Sequence, residues 1–130
     1  MNPDHLRILI VDDDEVIRFS LRESLESYGF LCYEAQNGLQ ALSSIKTYPV
    51  EVLLTDLNMP YMDGLELIRF IPQDFSLGSP LILLTSAGLN EDIRKMAYQA
   101  GAHLVLDKPF SISEILDAIQ IHHDHFPQAA

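Results

Sequence analysis

Three short runs, Ile8-Leu9-Ile10-Val11, Val52-Leu53-Leu54-Thr55 and Leu81-Ile82-Leu83-Leu84-Thr85, are apolar almost without interruption and stop abruptly at polar residues. Each is too short for a helix. A strand with one wet face alternates apolar and polar side chains, whereas an unbroken apolar strand is buried on both faces, as in a parallel sheet covered by helices on both sides. The intervening stretches carry helical spacing instead. Ile17, Leu21, Leu25 and Tyr28 recur every three to four residues before Gly29; Leu42 and Ile45 follow Asn37-Gly38; Leu65 to Ile71 forms a short helix that Pro72 ends. Gln73 to Pro80 reads as a loop. Ile93, Met96, Ala97 and Ala100 precede Gly101, and Ile112, Ile115, Leu116 and Ile119 follow a capping-box pattern, Ser111-x-x-Glu114. Leu31 to Ala35, interrupted by Glu34, suits an edge strand, and Leu104-Val105-Leu106 is a short fifth strand.

Alternating strands and helices with right-handed crossovers predict an α/β fold: a doubly wound, five-stranded parallel sheet with five helices. Apolar strands one, three and four belong at the centre, which favours the flavodoxin-like order 2-1-3-4-5. At 130 residues the chain is expected to be one domain, residues 1–130, without internal repeats. The stretch 126–130 reads either as the start of a linker or as the tail of a free-standing protein. In such a sheet the ligand crevice lies beyond the carboxyl ends of the strands, between the first and the third.

Lys and Arg number 8 against 19 Asp and Glu, a formal net charge of -11, so no basic stripe is available for direct nucleic-acid binding. No apolar run reaches the ~20 residues that cross a bilayer, and Met1 to Arg7 has no apolar leader segment, so a cytoplasmic protein without membrane contact is expected. The single Cys32 excludes an internal disulfide and a thiolate zinc site, and reads as a small buried strand residue. His122, His123 and His125 lie past the apolar face of the last helix and read as a solvated helix end rather than a metal cluster.

The polar residues at the strand ends are chemically coherent. Asp12, Asp13 and Asp14 follow strand one, Asp56 follows strand three, Thr85 ends strand four and Lys108 follows strand five. Carboxylates brought together repel unless a cation offsets them, and oxygen ligands with a role for phosphate point to Mg²⁺. With the repulsion offset, one carboxylate becomes a competent nucleophile toward phosphorus. Lys108 supplies a compact positive charge for phosphoryl oxygens, and the Thr85 hydroxyl a hydrogen bond.

At these residues the chain resembles the response regulator receiver family of two-component signalling, the CheY-like domains. The likeness rests on Ile10-Val11-Asp12-Asp13, Asp56-Leu57-Asn58-Met59-Pro60, Met62-Asp63-Gly64, Thr85, and Lys108-Pro109-Phe110, in order over nearly the whole chain. It implies that Asp56 accepts the phosphoryl group and that Asp12, Asp13, Asp56 and the backbone carbonyl of Asn58 bind Mg²⁺. Thr85 and Lys108 match the switch residues. The implied donor is a sensor histidine kinase or a histidine phosphotransfer protein, and the implied listener a downstream output domain or protein. Such a domain is a switch with only self-catalysed phosphorylation and dephosphorylation, not a turnover enzyme. Asp14 has no family role and reads as a helix cap. Pro60, Met62 and Gly64 shape the turn after Asp56, Gly64 by adopting a positive φ.

The chain departs from the family pattern at Val105, three before the lysine, where an aromatic residue is usual. Either the transition is weakened or the output face relies on other contacts. Ala87 leaves the mouth of the pocket open and uncharged. Two other readings compete. Asp12-x-Asp14-x-Val16 also resembles the nucleophile motif of haloacid-dehalogenase-like phosphatases, with Asp12 as nucleophile, but no acidic pair follows strand four and the Asp56 to Pro60 motif would go unexplained. A phosphorylation-independent interaction module would keep the fold and drop the chemistry.

Overall fold

The computed structural model describes residues 6–71 and 79–125, with side chains as far as His122. The elements alternate as β1 (Arg7–Val11), α1 (Glu15–Glu26), β2 (Leu31–Ala35), α2 (Gly38–Thr47), β3 (Val52–Asp56), α3 (Gly64–Arg69), β4 (Leu81–Ser86), α4 (Glu91–Ala100), β5 (Leu104–Asp107) and α5 (Ile112–His125). The five strands form one sheet in the order β2-β1-β3-β4-β5, all neighbours parallel. Expected order and observed order agree.

Alternation along each strand divides the interior in two. Leu9, Val11, Leu53, Ile82, Leu84 and Val105 face one way and pack with Ala41 of α2, Leu67 and Ile68 of α3 and Ala97 of α4. Ile8, Ile10, Leu54, Leu83 and Leu106 face the other way and pack with Leu25 of α1 and Ile115 and Ile119 of α5. Every residue of β3 and β4 is buried, which is why those strands are apolar up to the polar pairs, Thr55-Asp56 and Thr85-Ser86, at their carboxyl ends. β2 lies at the edge, with Leu31 exposed and Cys32 buried, and burial pushes the Cys32 thiol up to about 12.

Local chemistry closes the helices. Asp14, Asn37, Asp63 and Asn90 each cap the N-terminus of the helix that follows, and Asp63 forms a full capping box with Glu66. The box expected at Ser111 is half made: the Ser111 N–H donates to the Glu114 carboxylate at 3.0 Å, while the Ser111 hydroxyl pairs with Ser113. Gly29 and Gly101 take positive φ just past α1 and α4, as expected of helix stops.

Several expectations need correction. α1 ends at Glu26, so Tyr28 falls outside the helix and stays exposed, while Arg18 is buried in its place. Met96 is likewise exposed, and Ala97 alone is buried on α4. α3 gives way to its cap at Phe70, two residues before Pro72. The stop at Pro72, the loop from Gln73 as far as residue 78, the side chains of His123 and His125, and the tail 126–130 lie outside the described residues, as does most of Met1 to Arg7. Among the described residues no helix is long and apolar enough to cross a membrane.

Candidate functional site

Strands β1 and β3 end side by side. Val11 pairs with Thr55, and the next residue of each strand is an aspartate, Asp12 and Asp56, both buried. Asp13 follows, exposed, at the start of the loop into α1. Carboxylate oxygens of Asp12, Asp13 and Asp56 lie within 4.8 Å of one another. Lys108 reaches in from the segment after β5, its Nζ 3.2 Å from Asp56 Oδ1 and 3.4 Å from Asp12 Oδ2. Thr85 is buried on β4 in register with Asp56. Asp12, Asp13, Asp56, Thr85 and Lys108 thus gather at the switch point between β1 and β3, as the strand order requires.

The electrostatics are strained in a specific way. Burial, and then the neighbouring Asp12, push the Asp56 carboxyl above its ordinary range; Lys108 and the Leu57 N–H, 3.0 Å from Asp56 Oδ1, pull the other way without prevailing. Burial would lower the Lys108 ammonium, but Asp56 and Asp12 outweigh it and raise its pKa, so the lysine stays charged. One ammonium therefore faces three carboxylates, and the pocket carries excess negative charge. The donor set is all oxygen. A hard cation such as Mg²⁺ takes oxygen donors of this kind at ~2.0–2.1 Å, and three carboxylates gathered this closely can converge on one ion.

Neighbouring groups hold this arrangement. Asp12 Oδ1 accepts from the Asp14 N–H at 2.9 Å, and Asp14 caps α1 by accepting from Val16 and Ile17 at 2.9 and 3.3 Å. Asp14 thus serves as the helix cap, as expected. Leu57 N–H donates to the Thr85 carbonyl at 2.8 Å, tying the loop after Asp56 to β4. Lys108 N–H donates to the Ser86 carbonyl at 2.9 Å, which sets the root of the lysine beside the pocket. Asn58 lies exposed two residues past Asp56, and Ala87 is exposed just after β4.

The loop after Asp56 corrects one expectation. Gly64 does not take a positive φ; Tyr61 does, at 70°, and that residue is 84% exposed. Gly64 is needed for a different reason: a Cβ there would sit 2.4 Å from the Asp56 carbonyl oxygen and 2.7 Å from Leu84 Cδ1. Its N–H donates to the Leu57 carbonyl at 2.8 Å, so α3 starts in direct contact with the end of β3. Arg18 was missed altogether. Its spacing of three and seven from Leu21 and Leu25 placed it on the apolar stripe, and an arginine there is the signal that a buried partner awaits it.

Residues 8–120 match the family model for the response regulator receiver domain. The chemotaxis protein CheY of Halobacterium salinarum is 38% identical over 113 residues, 87% of this chain and 92% of that protein. The DNA-binding transcriptional regulator NtrC of Escherichia coli is 36% identical over 121 residues, 93% of this chain but 25% of that protein, so the likeness there covers one part of a much longer chain. Among solved structures, Vibrio cholerae chemotaxis protein CheY4 superposes with a TM-score of 0.81 at 26% identity, covering 89% of this chain and 97% of that one. The signal receiver domain of an HD domain-containing protein from Pseudomonas fluorescens gives 0.82 at 26% identity, covering 92% and 95%.

Proposed function

Because this chain belongs to the response regulator receiver domain family of two-component signalling, we propose that it is a phospho-accepting switch in which Asp56 takes a phosphoryl group from the phosphohistidine of a sensor kinase or phosphotransfer protein. The observation that carries this reading is the convergence of Asp12, Asp13 and Asp56 within 4.8 Å, with Lys108 Nζ 3.2 Å from Asp56.

In the transfer, a carboxylate oxygen of Asp56 attacks phosphorus while the P–N bond to the donor histidine breaks; the electron pair stays on the imidazole nitrogen. Asp56 must be ionised to attack, and Lys108 favours that form against the burial and the Asp12 charge that oppose it. Asp12, Asp13, Asp56 and the Asn58 carbonyl would hold Mg²⁺, which supplies charge neutralisation to the carboxylates and to the incoming phosphoryl oxygens. Lys108 then pairs with a phosphoryl oxygen, and the Thr85 hydroxyl donates to another.

Rearrangement of Thr85 is the step that reaches a partner-binding face, through α4 and β5. Val105 stands where the family usually has an aromatic side chain, and it is buried against the α2–α4 side of the sheet in register with Leu84. The switch proposed here therefore runs through Thr85 and the backbone of β4 and β5 rather than through an aromatic rotamer. Phosphorylation biases two packings of that region.

Acetyl phosphate replaces the kinase in the test. With Mg²⁺ the protein is expected to gain the mass of one phosphoryl group, mapped to Asp56, and to gain none in chelator or as Asp56→Asn. Modification of Asp12 with turnover of a phosphate monoester would overturn the reading in favour of a phosphatase, and unchanged labelling of Asp56→Asn would overturn it outright.

A further inference from the structure

Arg18 is a buried arginine on a helix that otherwise packs through apolar side chains. Its side chain is 9% exposed, and its Nη1 donates to the carbonyl of Asp12 at 2.6 Å while its Nε donates to Glu34 Oε1 at 3.1 Å. Arg22 Nη1 holds the other oxygen of Glu34 at 3.0 Å. Burial would push the Glu34 carboxyl up, but the bonds from Arg22 and Arg18 outweigh it and hold it below the ordinary carboxylate range. Glu34 is therefore a fixed anion at neutral pH, and Arg18 is a bridge from edge strand β2 to Asp12, the first residue after β1.

Stability alone is a weak reason to keep such a bridge, because a buried ion pair can often be exchanged for apolar side chains at little cost. Its effect on Asp12 is more specific. The Asp12 N–H donates to the Ala35 carbonyl at 3.2 Å, so with Arg18 on the carbonyl both backbone groups of Asp12 are engaged. The side chain is fixed as well, Oδ1 by the Asp14 N–H and Oδ2 by Lys108. Like-charge repulsion among Asp12, Asp13 and Asp56 acts to push this loop outward, and the Arg18 bond to the Asp12 carbonyl, anchored at Glu34 on β2, resists it.

We infer that Arg18 is a positioning residue for the cation pocket: by clamping the Asp12 carbonyl to Glu34 it holds the β1–α1 loop where the carboxylates of Asp12 and Asp13 can share a divalent ion with Asp56. The inference rests on the reading of that pocket as a Mg²⁺ site. Groups that orient metal ligands typically contribute 10–100-fold in affinity, and the lower end suits a tie made through backbone.

The sign of the effect separates positioning from simple charge. A guanidinium near a cation site repels the cation, so neutralising Arg18 would tighten Mg²⁺ if charge were its only role; loss of a clamp weakens it. The experiment is a Mg²⁺ titration of the full chain followed by amide NMR at Asp13, Asp14 and Leu57, with urea unfolding in chelator to confirm that each variant is folded. Arg18→Met is expected to bind Mg²⁺ roughly tenfold more weakly than the parent. Arg18→Lys keeps the charge, but its single amine cannot serve Asp12 and Glu34 with the fork of a guanidinium, and an intermediate loss is expected. The lysine variant carries the test if the methionine variant does not fold. Equal or tighter binding by Arg18→Met, or parent-like binding by Arg18→Lys, would overturn the inference while leaving the pocket intact. A parent that ignores millimolar Mg²⁺ would overturn the pocket reading and this inference together.

Discussion

Leu54 and Asp56 stand two residues apart on β3, on the same side of the strand and both buried, yet burial favours one and opposes the charge of the other. Leu54 lies in the apolar body of the sheet among Ile8, Ile10 and Leu83. Asp56 lies at the carboxyl end, where burial and Asp12 both disfavour its charge. The body holds the edge in place: ladders on both sides of β3 fix where Asp56 must be, and the edge carries a repulsion that a cation would offset.

The largest expected effect tests the body. Leu54→Ala should cost about 2–5 kcal/mol by urea unfolding, with or without Mg²⁺, because it opens a cavity between the sheet and α1 and α5. A cost well under 1 kcal/mol would mean that the body is not the support. Next comes the seam between body and edge. Gly64→Ala should cost about 1–3 kcal/mol, since the new Cβ meets the backbone of β3, which cannot yield as a flexible side chain would. A neutral result would show that α3 can slide away from Asp56.

The edge itself should respond in the opposite direction. Asp56→Asn is expected to stabilise the protein in chelator at neutral pH by on the order of 1 kcal/mol. A carboxyl whose folded pKa is raised makes the folded state lose stability as pH climbs from the ordinary carboxylate range through that raised value, so removing the charge restores it. Destabilisation by this substitution would mean that Lys108 more than offsets the repulsion. Tyr61→Asn should add a smaller increment, about 0.5 kcal/mol, because asparagine accepts the positive φ at lower cost.

The smallest effect lies at the opposite end of the sheet. His103 Nδ1 accepts from the Ile82 N–H at 2.9 Å, and burial lowers its pKa below 6.5. The folded state therefore binds fewer protons than the unfolded one. The contribution of neutral His103 should be complete above 6.5 and fade as pH falls through it, and the fading should vanish in His103→Asn. A parent and variant with identical pH dependence would remove His103 from the account.

Much of the fold was readable because burial on both faces leaves a direct mark in composition: β1, β3 and β4 are apolar runs, and β2, with Glu34, is mixed because its outer edge is open. The positions of Asp12, Asp13, Asp56, Thr85 and Lys108 followed from strand order alone. Other features were not readable, because they depend on contacts distant in sequence. Gly64 looked like a turn glycine, but its constraint is the backbone of Asp56 and the side chain of Leu84. Tyr61 gave no sign that it would take the positive φ instead. Arg18 was hidden by Ile17 beside it, which satisfies nearly the same helical spacing; the partners that explain Arg18, the Asp12 carbonyl and Glu34, come from β1's end and from another strand.

If charge destabilises the carboxyl edge and a divalent ion offsets it, unfolding free energy measured against Mg²⁺ concentration should distinguish the parent from Asp56→Asn. Parent stability should rise with the logarithm of Mg²⁺ once its dissociation constant is passed, while the variant, more stable at the start, should gain far less, so that the two curves converge. Parallel curves, or a parent unmoved by millimolar Mg²⁺, would contradict that offset.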